Sequence, residues 1–343
     1  MSRRSPKILD VARVAGVSAA TVSRALSNPD LVAEETRKSV LDAVATTGYR
    51  INRTARNLRR QVTGAIVVLV PNLGNPFFSQ ILSGIEAVGT AGGYSVLIVD
   101  TEQAEEKSDL VREYLHNNRA DGVLVLDASL PIPQELRGAG SAPAPLIFAC
   151  EKPLRSEFPS VTVDNELGAR LAIRHLFALG HRAVGHVAGP AGNVLTAARR
   201  GAAQAEIAAL GGPIRKPWFL SGDFGIESGV RAAQALLAMR ERPTAMFCAS
   251  DLMAFGLISE LYAHGVRVPE DLSVVGFDDI EFASRSIPAL TTIRQPRVEV
   301  GAIAAEMLIG RIAGAAHPHG DADRVLPVEL IVRKSTAAPP ALA

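Results

Sequence analysis

The chain contains very little cysteine, which limits the kinds of site that it can hold. Among 343 residues only Cys150 and Cys248 are cysteines, and they lie far apart in the sequence. Two distant cysteines provide neither a disulfide framework nor a metal cage made of thiolates. Because both lie in apolar, strand-like runs, we expect two buried side chains of small hydrophobic character with no redox role.

Long uncharged apolar segments are also absent. No run of about 18 such residues occurs, and the opening sequence MSRRSPKILD lacks the apolar stretch of a secretory signal. These absences argue against a membrane protein and against export, so we expect a cytoplasmic protein. A hydrophobic content of 48% is ample for globular packing, and a length of 343 residues predicts two or three domains.

The polar residues form no catalytic or metal-binding pattern. His175, His181 and His186 are six and five positions apart, a spacing that does not place them on one helical face. The pairs Ser250-Asp251 and Asp278-Asp279 have no histidine nearby in sequence that would complete a triad or an acid–base pair. The sequence therefore predicts no catalytic residue, no metal and no cofactor.

The net charge is only +1, but the charge is unevenly distributed. Residues 1–60 contain twelve lysines and arginines against five aspartates and glutamates, a balance of +7. The rest of the chain carries 24 basic and 30 acidic residues, a balance of −6. This segregation indicates a basic nucleic-acid-binding segment attached to an acidic body.

Residues 8–26 have the pattern of two short helices joined by a tight turn. In the stretch ILDVARVAGVS the apolar residues recur at helical spacing and lead to Gly16, where the chain can turn sharply. Ser18 offers a side-chain oxygen to cap a second helix, and Ala19 to Leu26 contains no helix-breaking residue. Helix, turn and helix in this order predict a helix-turn-helix DNA-binding unit.

A third amphipathic helix completes this N-terminal segment. It is predicted from about Glu34 to Thr47, after the turn Asn28-Pro29-Asp30, and it ends at Gly48. Its apolar side is assigned to Thr36, Val40, Leu41 and Val44. Three short helices of this kind form a small all-α domain.

The second helix of such a unit enters the major groove with its N-terminal residues facing the bases. Small side chains at Ala19 and Ala20 permit close approach and contact with a thymine methyl, and Arg24 can donate two hydrogen bonds to guanine. Thr21, Ser23 and Lys7 suit phosphate contacts better. The DNA contacts predicted in this segment are Lys7, Ser18, Ala19, Ala20, Thr21, Ser23 and Arg24.

The motifs DVAxxAGVSxxTVSRxL, NPDxVxxETR and GYxxNxxARxL resemble the lactose repressor family of bacterial transcription factors. The resemblance implies a hinge helix that folds when two copies meet over the DNA minor groove. In this helix Asn52, Ala55 and Leu58 would contact the DNA, and Leu58 would wedge between base pairs and kink the duplex.

The chain departs from the family pattern at three positions. Lys7 and Ala33 stand where a threonine or serine usually caps a helix, and Ile51 stands where a proline often precedes the hinge. Each lost cap is worth about 0.5 to 2 kcal/mol of stability. The predicted base-reading residues are unaffected by these departures.

From Gly64 onward, short apolar runs alternate with amphipathic helical segments, as in parallel sheets whose strands are buried on both faces. In the first half, strands are predicted at 65–70, 95–99, 122–126 and 146–149, and helices near 77–90 and 107–117. After Asp164, strands are predicted at 183–188, 218–221, 245–249 and 272–277, with helices around Leu167, Gln204, Ala233 and Leu257. The pattern predicts two α/β lobes that follow one another.

The predicted fold class is an all-α helix-turn-helix headpiece followed by an α/β core of two doubly wound parallel-sheet lobes. The family's core is similar to periplasmic sugar-binding proteins, and the resemblance extends from Ile8 to about Thr336. We assign residues 1–50 to the headpiece, 51–61 to the hinge helix and linker, 62–336 to the core and 337–343 to a disordered tail.

Parallel sheets bind ligands outside the carboxyl ends of their strands, so two facing lobes would enclose a ligand between them. The family resemblance implies that Arg199 holds ligand hydroxyls, that Asp278 accepts hydrogen bonds from them and that Phe224 stacks on the ligand ring. Asn75 and Phe78 would face the ligand from the first lobe, although a phenylalanine here is equally suited to the core.

Two positions bear on the identity of the ligand. Ser250, which we expect to contact the ligand, replaces an asparagine that is often found in sugar-binding members, and this argues against a simple hexose. Asp251 could simply cap the helix that it begins. The segment ending in Glu151 looks most similar to the cytidine-responsive repressors of this family, and Glu151 would then face the ligand. A nucleoside and a pentose or other sugar both remain open.

The resemblance also implies partners for the chain. These are double-stranded operator DNA, a small-molecule effector and a second copy of the chain, with the protein in the cytoplasm and associated with the nucleoid. The tail cannot form the heptad helix through which the lactose repressor makes tetramers, so we expect a homodimer, paired through helices near Ile81 to Val88. A cytosolic sugar-binding sensor and a sugar- or nucleoside-processing enzyme are the alternative functions.

Overall fold

The computed structural model describes residues 6–49, 62–102, 109–117, 119–136, 144–314 and 322–340. The chain divides into two compact units, residues 1–63 and residues 64–343. The positions Ile51, Asn52, Ala55 and Leu58, for which the hinge was predicted, lie outside the described residues.

The described part of the N-terminal unit is helical, as predicted. It contains α1 (Ile8–Ala15), α2 (Ala19–Ser27), a 3-10 turn (Pro29–Leu31) and α3 (Glu34–Thr47). Gly16 and Gly48 end α1 and α3 with φ angles of 67° and 66°. Because a glycine adopts these left-handed angles without strain, both helices end where the sequence predicts.

One valine from each helix is fully buried in the core of this unit, namely Val11, Val22 and Val40. The assignment of Leu41 to the apolar side of α3 is wrong, because 52% of its surface is exposed and Ala43 is buried instead. Neighbouring helix positions point about 100° apart. Val40 and Ala43 therefore share the inner face, and Leu41 does not.

The helix caps of the N-terminal unit follow from the sequence. The Ser18 hydroxyl accepts a hydrogen bond from the backbone N–H of Thr21 at 3.0 Å and caps α2. Neither Lys7 nor Ala33 makes a side-chain cap at the start of α1 or α3. The Asp10 carboxylate accepts from the Lys7 backbone N–H at 2.9 Å, which satisfies one donor that the missing cap leaves.

The first lobe of the larger unit is a six-stranded parallel sheet. Its strands are β1 (Ala65–Val70), β2 (Ser95–Asp100), β3 (Gly122–Val125), β4 (Leu146–Ala149), β5 (Ser160–Val163) and β11 (Arg324–Leu326), in the order β11-β5-β4-β3-β1-β2. The helices α4 (Phe77–Ala91), α5 (Leu110–His116) and α10 (Arg297–Ile312) pack on it.

The second lobe is a four-stranded parallel sheet. Its strands are β6 (Val184–Val187), β7 (Phe219–Leu220), β8 (Ala245–Cys248) and β9 (Ser273–Val275), in the order β7-β6-β8-β9. Its helices are α6 (Asn165–Ala178), α7 (Val194–Ala209), α8 (Ile226–Leu237) and α9 (Asp251–Ala263). The strands β10 (Thr292–Arg294) and β12 (Glu329–Ile331) form a separate antiparallel pair. Every strand predicted in the two lobes is present, several of them with shorter bounds. The predicted burial is wrong for β2, because it lies at the edge of its sheet and its Leu97 and Ile98 side chains are 40% and 46% exposed.

The prediction that the lobes are successive segments is wrong. The chain crosses between them after β5, between β10 and α10, and between β11 and β12, so α10 and β11 return to the first lobe. Close packing of α10 against α4 explains the return: a Cβ atom on Gly301 would lie 2.1 Å from the Ile81 carbonyl oxygen. The helix α10 was not predicted from the sequence, and apolar periodicity alone does not show which lobe a helix joins.

Both cysteines are buried, as predicted. Cys150 is 6% exposed beside β4, and Cys248 at the end of β8 is fully buried. Burial raises the pKa of each thiol because the interior disfavours a thiolate. Both side chains therefore remain protonated and unreactive at neutral pH.

The core extends past the boundary that the sequence assigned at residue 336. The Ala337 N–H donates to the Ser273 hydroxyl at 3.0 Å, and the Ala337 carbonyl oxygen accepts from the His181 Nε2 at 2.9 Å. His181 is fully buried, so its ring needs a partner inside the protein, and the chain after Thr336 supplies one. Residues 341–343 lie outside the described residues.

Candidate functional sites

The exposed face of α2 carries three of the predicted DNA contacts. Ala20, Ser23 and Arg24 are exposed, whereas Val22 and Ala25 are buried in the core of the N-terminal unit. Helix positions three and four apart share a face, so the three exposed residues form one surface that can enter a DNA groove. Within the described residues, the Arg24 guanidinium makes no ion pair with a carboxylate.

The other contacts predicted in the headpiece lie around the start of α1 and α2. Lys7 is exposed in front of α1, and Ala19 is half-buried against the core. The hydroxyl oxygens of Ser18 and Thr21 are 2.9 Å apart and share a hydrogen bond, in addition to the cap that Ser18 provides. Both hydroxyls are thus held at the end of α2 that would approach the DNA.

Arg199 lies on α7 in the larger unit and is only 2% exposed. Its Nε donates to the Asn165 Oδ1 at 2.9 Å, and its Nη1 donates to the Ala249 carbonyl oxygen at 2.6 Å. The guanidinium carbon Cζ is 3.7 Å from the centroid of the Phe277 ring, a close cation–π contact. These contacts fix the orientation of the guanidinium without neutralising its charge.

Asp278 faces Arg199 without a direct hydrogen bond. The Asp278 Oδ1 accepts from the Gln295 Nε2 at 2.7 Å but is 3.9 Å from the Arg199 Nη1. The φ angles of Asp278 and Asp279 are 126° and 54°, a strained conformation for two consecutive residues with side chains. Burial raises the pKa of Asp278 to about 6, although Arg199 and Arg297 lower it. A strained, buried and incompletely paired carboxylate is typical of a binding site.

Asp251 does not cap α9, and its carboxylate instead accepts hydrogen bonds from two residues near Asp278. Its Oδ1 accepts from the Thr292 hydroxyl at 2.5 Å, and its Oδ2 accepts from the Ile280 N–H at 2.9 Å. Ser250 provides the cap, because its hydroxyl oxygen accepts from the Met253 N–H at 3.2 Å. Burial and a neighbouring carboxylate raise the pKa of Asp251 well above its usual range.

Phe224 lies beside Arg199 and is held by Ser250. The Ser250 hydroxyl donates to the Phe224 carbonyl oxygen at 3.1 Å, and Phe224 has a left-handed φ of 67°. The Arg199 Cζ is 5.8 Å from the Phe224 ring centroid. A Cβ atom on Gly189 would lie 2.2 Å from the ring, so only a glycine lets the ring occupy this place. The structure therefore gives Ser250 a positioning contact, which the sequence did not predict.

The first-lobe residues Asn75 and Phe78 lie at the start of α4. The Asn75 Oδ1 accepts from the Phe77 N–H at 3.0 Å and stabilises the turn into the helix. The rings of Phe77 and Phe78 are both buried in the core and pack edge to face, with 5.1 Å between their centroids. Phe78 thus occupies the core, one of the two locations that the sequence left open.

Glu151 forms a hydrogen bond with a residue that was not predicted to belong to the site. Its Oε2 accepts from the Asn193 Nδ2 at 3.0 Å, and Asn193 belongs to the second lobe. Asn165 and Gln295, which hold the charged pair, were missed as well. Asn193 could have been found as a helix cap in front of the run VLTAARR. No sequence signal brings Asn165 or Gln295 to the site.

The side chain of His186 is fully buried and makes its contacts inside the protein. The His186 Nδ1 donates to the Phe247 carbonyl oxygen at 2.8 Å, and the two rings stack with 4.8 Å between centroids. Burial lowers the pKa of His186 to about 4. Within the described residues no group of three or more His, Cys, Asp or Glu side chains could hold a metal ion.

Known families and proteins match both units. Residues 7–52 match the bacterial regulatory proteins of the lacI family, and residues 173–336 match a periplasmic binding protein-like domain. The chain is 39% identical to the HTH-type transcriptional repressor CytR of Escherichia coli strain K12 over 332 residues, 96% of each chain. It is 36% identical to the HTH-type transcriptional repressor PurR of Photobacterium profundum over 332 residues, 96% of this chain and 98% of that one.

Solved structures show the same architecture. The lac repressor dimer bound to operator and the anti-inducer ONPF has a TM-score of 0.82 and 31% identity, covering 98% of this chain and 100% of that chain. The complex of the transcriptional regulator CelR with cellobiose has a TM-score of 0.72 and 32% identity, covering 96% and 99%. The fold class and the resemblance inferred from the motifs are confirmed, and the chain belongs to the lacI family of bacterial regulatory proteins, which are DNA-binding transcriptional regulators controlled by a small molecule.

Proposed function

We propose that this protein is a homodimeric repressor of bacterial metabolic genes, controlled by a sugar or nucleoside that binds between its two core lobes. The observation that carries the ligand half of the proposal is the buried pair Arg199 and Asp278, whose nearest polar atoms are 3.9 Å apart. One ligand oxygen can lie within hydrogen-bond distance of both groups. A hydroxyl fits, because it can accept from the guanidinium and donate to the carboxylate.

The ring of Phe224 supports the same class of ligand. Sugars and nucleosides combine hydroxyl groups with a ring face that can stack on an aromatic side chain. The Phe224 ring lies 5.8 Å from the guanidinium carbon of Arg199, so one ligand can meet both. The Ser250 hydroxyl that holds the Phe224 backbone preserves this arrangement.

Ligand binding can change the arrangement of the two lobes through the segments where the chain crosses between them. Arg199 is hydrogen-bonded to Asn165, at the first crossover, and Asp278 to Gln295, at the second. A ligand that redirects either charged side chain therefore acts on the segments where the lobes hinge. The sign of the response depends on which lobe arrangement the ligand binds more tightly, and DNA affects ligand affinity reciprocally.

The second copy of the chain has a candidate surface in the second lobe. A groove of about 390 Å³ is lined by residues of α9 and of the segment 282–287 that follows β9, most of them apolar or aromatic. Among them Tyr262, Phe282 and Ile287 are largely exposed. The helix near Ile81 fits less well, because Ile81 and Ile85 are buried inside the first lobe. Large exposed apolar groups of this kind mark protein interfaces.

Sedimentation analysis tests the dimer surface. Ile287→Asp places a charge on a side chain that is 95% exposed, and we expect it to yield monomers. Leu154→Asp is the matched control, because Leu154 is 94% exposed in the first lobe, away from the groove. A dimer that survives Ile287→Asp and Tyr262→Asp together would exclude this surface.

We also propose that the protein catalyses no reaction and that it is located at the nucleoid. A ligand recovered chemically intact after prolonged incubation with the protein would agree with the first point, and its turnover would favour the sugar- or nucleoside-processing enzyme. Among the helices of the described residues, none is long and apolar enough to cross a membrane.

Operator binding with and without effector tests the whole proposal. Duplexes selected from random DNA by the full chain provide an operator, and fluorescence anisotropy measures its affinity in the presence of sugars and nucleosides. We expect Arg24→Ala to weaken operator binding about tenfold, because a bidentate contact with guanine is worth about 1 to 3 kcal/mol. Effector affinity should not change. Arg13→Ala is the matched control, since Arg13 is exposed on α1 and paired with Asp10.

Two results would contradict the proposed function. The first is a protein that selects no duplex sequence, which would favour a ligand sensor without a role at DNA. The second is an operator affinity that no sugar or nucleoside changes, although one of them binds at Asp278.

A further inference from the structure

The last described residues of the chain run along the outer edge of the second-lobe sheet. The strand β9 lies at the end of the order β7-β6-β8-β9. On its outer side the Val274 N–H donates to the Ser335 carbonyl oxygen at 2.8 Å, and the Ser335 hydroxyl donates to the Val274 carbonyl oxygen at 2.6 Å. We call residues 335–339 the C-terminal strap. The strap satisfies backbone groups that an edge strand otherwise leaves open.

The C-terminal strap also contacts the segment that leads out of the second lobe. Ser335 is fully buried, and its hydroxyl oxygen accepts from the Thr291 N–H at 2.8 Å. The hydroxyl oxygens of Thr336 and Thr291 are 3.2 Å apart and share a hydrogen bond. Thr291 immediately precedes β10, after which the chain crosses to the first lobe. The strap therefore joins the edge of β9 to the start of a crossover.

A buried histidine holds the backbone of the C-terminal strap. His181 is fully buried, and its Nε2 is 2.9 Å from the Ala337 carbonyl oxygen. A carbonyl oxygen only accepts, so this nitrogen carries the proton. The Nδ1 of the ring is 2.9 Å from the Thr244 hydroxyl oxygen and accepts from it. The neutral ring thus has a partner at each nitrogen, and a second proton would place a charge inside the protein.

A second histidine holds the neighbouring residue of the strap. His175 is half-buried in the last turn of α6, and its Nε2 is 2.9 Å from the Thr336 hydroxyl oxygen. Gly180 lies between the two histidines in the sequence, and a Cβ atom on it would be 3.4 Å from the Pro339 Cδ. The strap therefore packs over the end of α6 and is tied there by both rings.

The charged groups around the two rings offer no carboxylate to a protonated histidine. Arg174 on α6 is paired with Glu206 of α7 at 2.7 Å, and Arg182 donates to two main-chain carbonyl oxygens. Lys334, just before the strap, is exposed. The side chains that reach the buried ring from the β8 and β9 side are hydroxyls, which are uncharged. In the part of the chain that the structure describes, neither ring forms an ion pair with a carboxylate.

Protonation of either ring opposes binding of the strap. Burial lowers the pKa of His175 and of His181, and the charge of His181 lowers the pKa of His175 further. The bond to the Ala337 carbonyl raises the pKa of His181 but only partly offsets burial. Rings that are released into water regain an ordinary pKa of about 6.5. The strap is therefore held most tightly above this pH, and its binding weakens as the pH falls below it.

We propose that the C-terminal strap is a pH-sensitive cover of the second lobe, which His175 and His181 release when they become protonated in mild acid. Release exposes the edge of β9 and frees Thr291 in front of β10. Because the two rings hold successive strap residues, protonation of one also loosens the strap over the other. The switch goes beyond the proposed function, since it depends on neither DNA nor effector.

Hydrogen exchange of the Ala337 amide in the full chain measures opening of the strap, because this N–H donates to the Ser273 hydroxyl at 3.0 Å. At pH 5.5 a released histidine is protonated about ten times more often than it is neutral. Each ring that stays neutral under the strap therefore raises the opening constant by up to about tenfold. We expect the protection factor, corrected for the intrinsic pH dependence of exchange, to fall at least about tenfold from pH 7.5 to pH 5.5. The amides of β8 report unfolding of the whole lobe and should stay better protected throughout.

Glutamine variants separate titration of the rings from their hydrogen bonds, because a glutamine side chain can donate and accept without titrating. His175→Gln should reduce the fall in protection about threefold or more. Adding His181→Gln should abolish it. His264→Gln is the matched control, since His264 is an exposed histidine of the same lobe, at the end of α9, and this variant should keep the full pH dependence.

Three results would overturn the proposed switch. The first is an Ala337 amide that exchanges freely at pH 7.5 or is equally protected at both pH values. The second is a fall in protection that His175→Gln leaves unchanged, and this single variant at a half-buried position decides the question if His181→Gln does not fold. The third is equal protection of Ala337 and the β8 amides at pH 5.5, which would show that the whole lobe unfolds.

Discussion

Replacing Asp278 by asparagine should stabilise the fold while it weakens the ligand site. Burial raises the pKa of Asp278 to about 6 from an ordinary value of 3.8. The folded state therefore binds this proton more tightly than the unfolded state does, and stability falls as the pH rises from about 4 through about 6. Above that range the charged carboxyl costs on the order of 3 kcal/mol relative to its neutral form.

Asparagine has nearly the shape of the neutral acid, so Asp278→Asn should recover much of this cost at pH values above 7. The neighbouring Asp279→Asn is the control. The Asp279 carboxylate accepts from the Arg294 Nε and the Arg333 Nη2, both at 2.6 Å. Loss of these charge-assisted bonds should destabilise the core by about 1 to 3 kcal/mol. Asp278→Asn and Asp279→Asn are thus expected to change the free energy of unfolding in opposite directions.

Urea unfolding followed by tryptophan fluorescence measures both variants, because Trp218 is the only tryptophan and is buried in the second lobe. The gain from Asp278→Asn should vanish at pH 4, where the natural carboxyl is largely protonated. Effector affinity should fall about tenfold or more with the loss of a charged acceptor. An Asp278→Asn protein that is less stable than the natural protein above pH 7 would refute the reasoning. In that case the attraction between the charged carboxylate and Arg199 would stabilise the fold by more than burial of the charge destabilises it.

Three further predictions concern packing, a cap and a buried histidine. Gly301→Ala directs a methyl group at the Ile81 carbonyl oxygen and should cost about 1 to 3 kcal/mol or more in urea unfolding, whereas Gly201→Ala, with nothing within 4 Å, should stabilise α7 by up to about 1 kcal/mol. Ser18→Ala should lower the stability of the N-terminal unit by about 1 kcal/mol in thermal unfolding followed by circular dichroism. Because the pKa of His186 is lowered to about 4, stability should fall as the pH drops from about 6.5 toward 4, and His186→Phe should remove this loss from the pH profile.

Local signals in the sequence were sufficient for most of the helices and strands, although β5, α10 and β10 to β12 were not predicted. Gly16 and Gly48 end their helices because a glycine tolerates the left-handed conformation found there, and Ser18 begins α2 because its oxygen can cap a backbone N–H. Apolar runs identified strands in both lobes in the same way, although β2 is not buried as predicted. Leu41 shows the limit of this approach, since a pattern gives the helix more reliably than the face that it buries.

The family resemblance, and not a local pattern, identified Arg199, Asp278, Phe224 and Glu151 as candidate ligand contacts. Their roles toward a ligand remain predictions, but the structure adds the geometry on which those predictions depend. It shows the 3.9 Å gap between Arg199 and Asp278 and the proximity of the Phe224 ring to the guanidinium. A motif read along the chain contains neither measurement.

Tertiary structure alone decided which amides support these residues. Asn165, Asn193 and Gln295 are ordinary polar residues in the sequence, and each acquires its role from a partner far away along the chain. The return of α10 to the first lobe, through the close contact at Gly301, is of the same kind. Caps and apolar periodicity depend on residues within a few positions of each other, so sequence alone determines them. Contacts between distant segments depend on how the chain crosses between the lobes, and only the folded structure determines those.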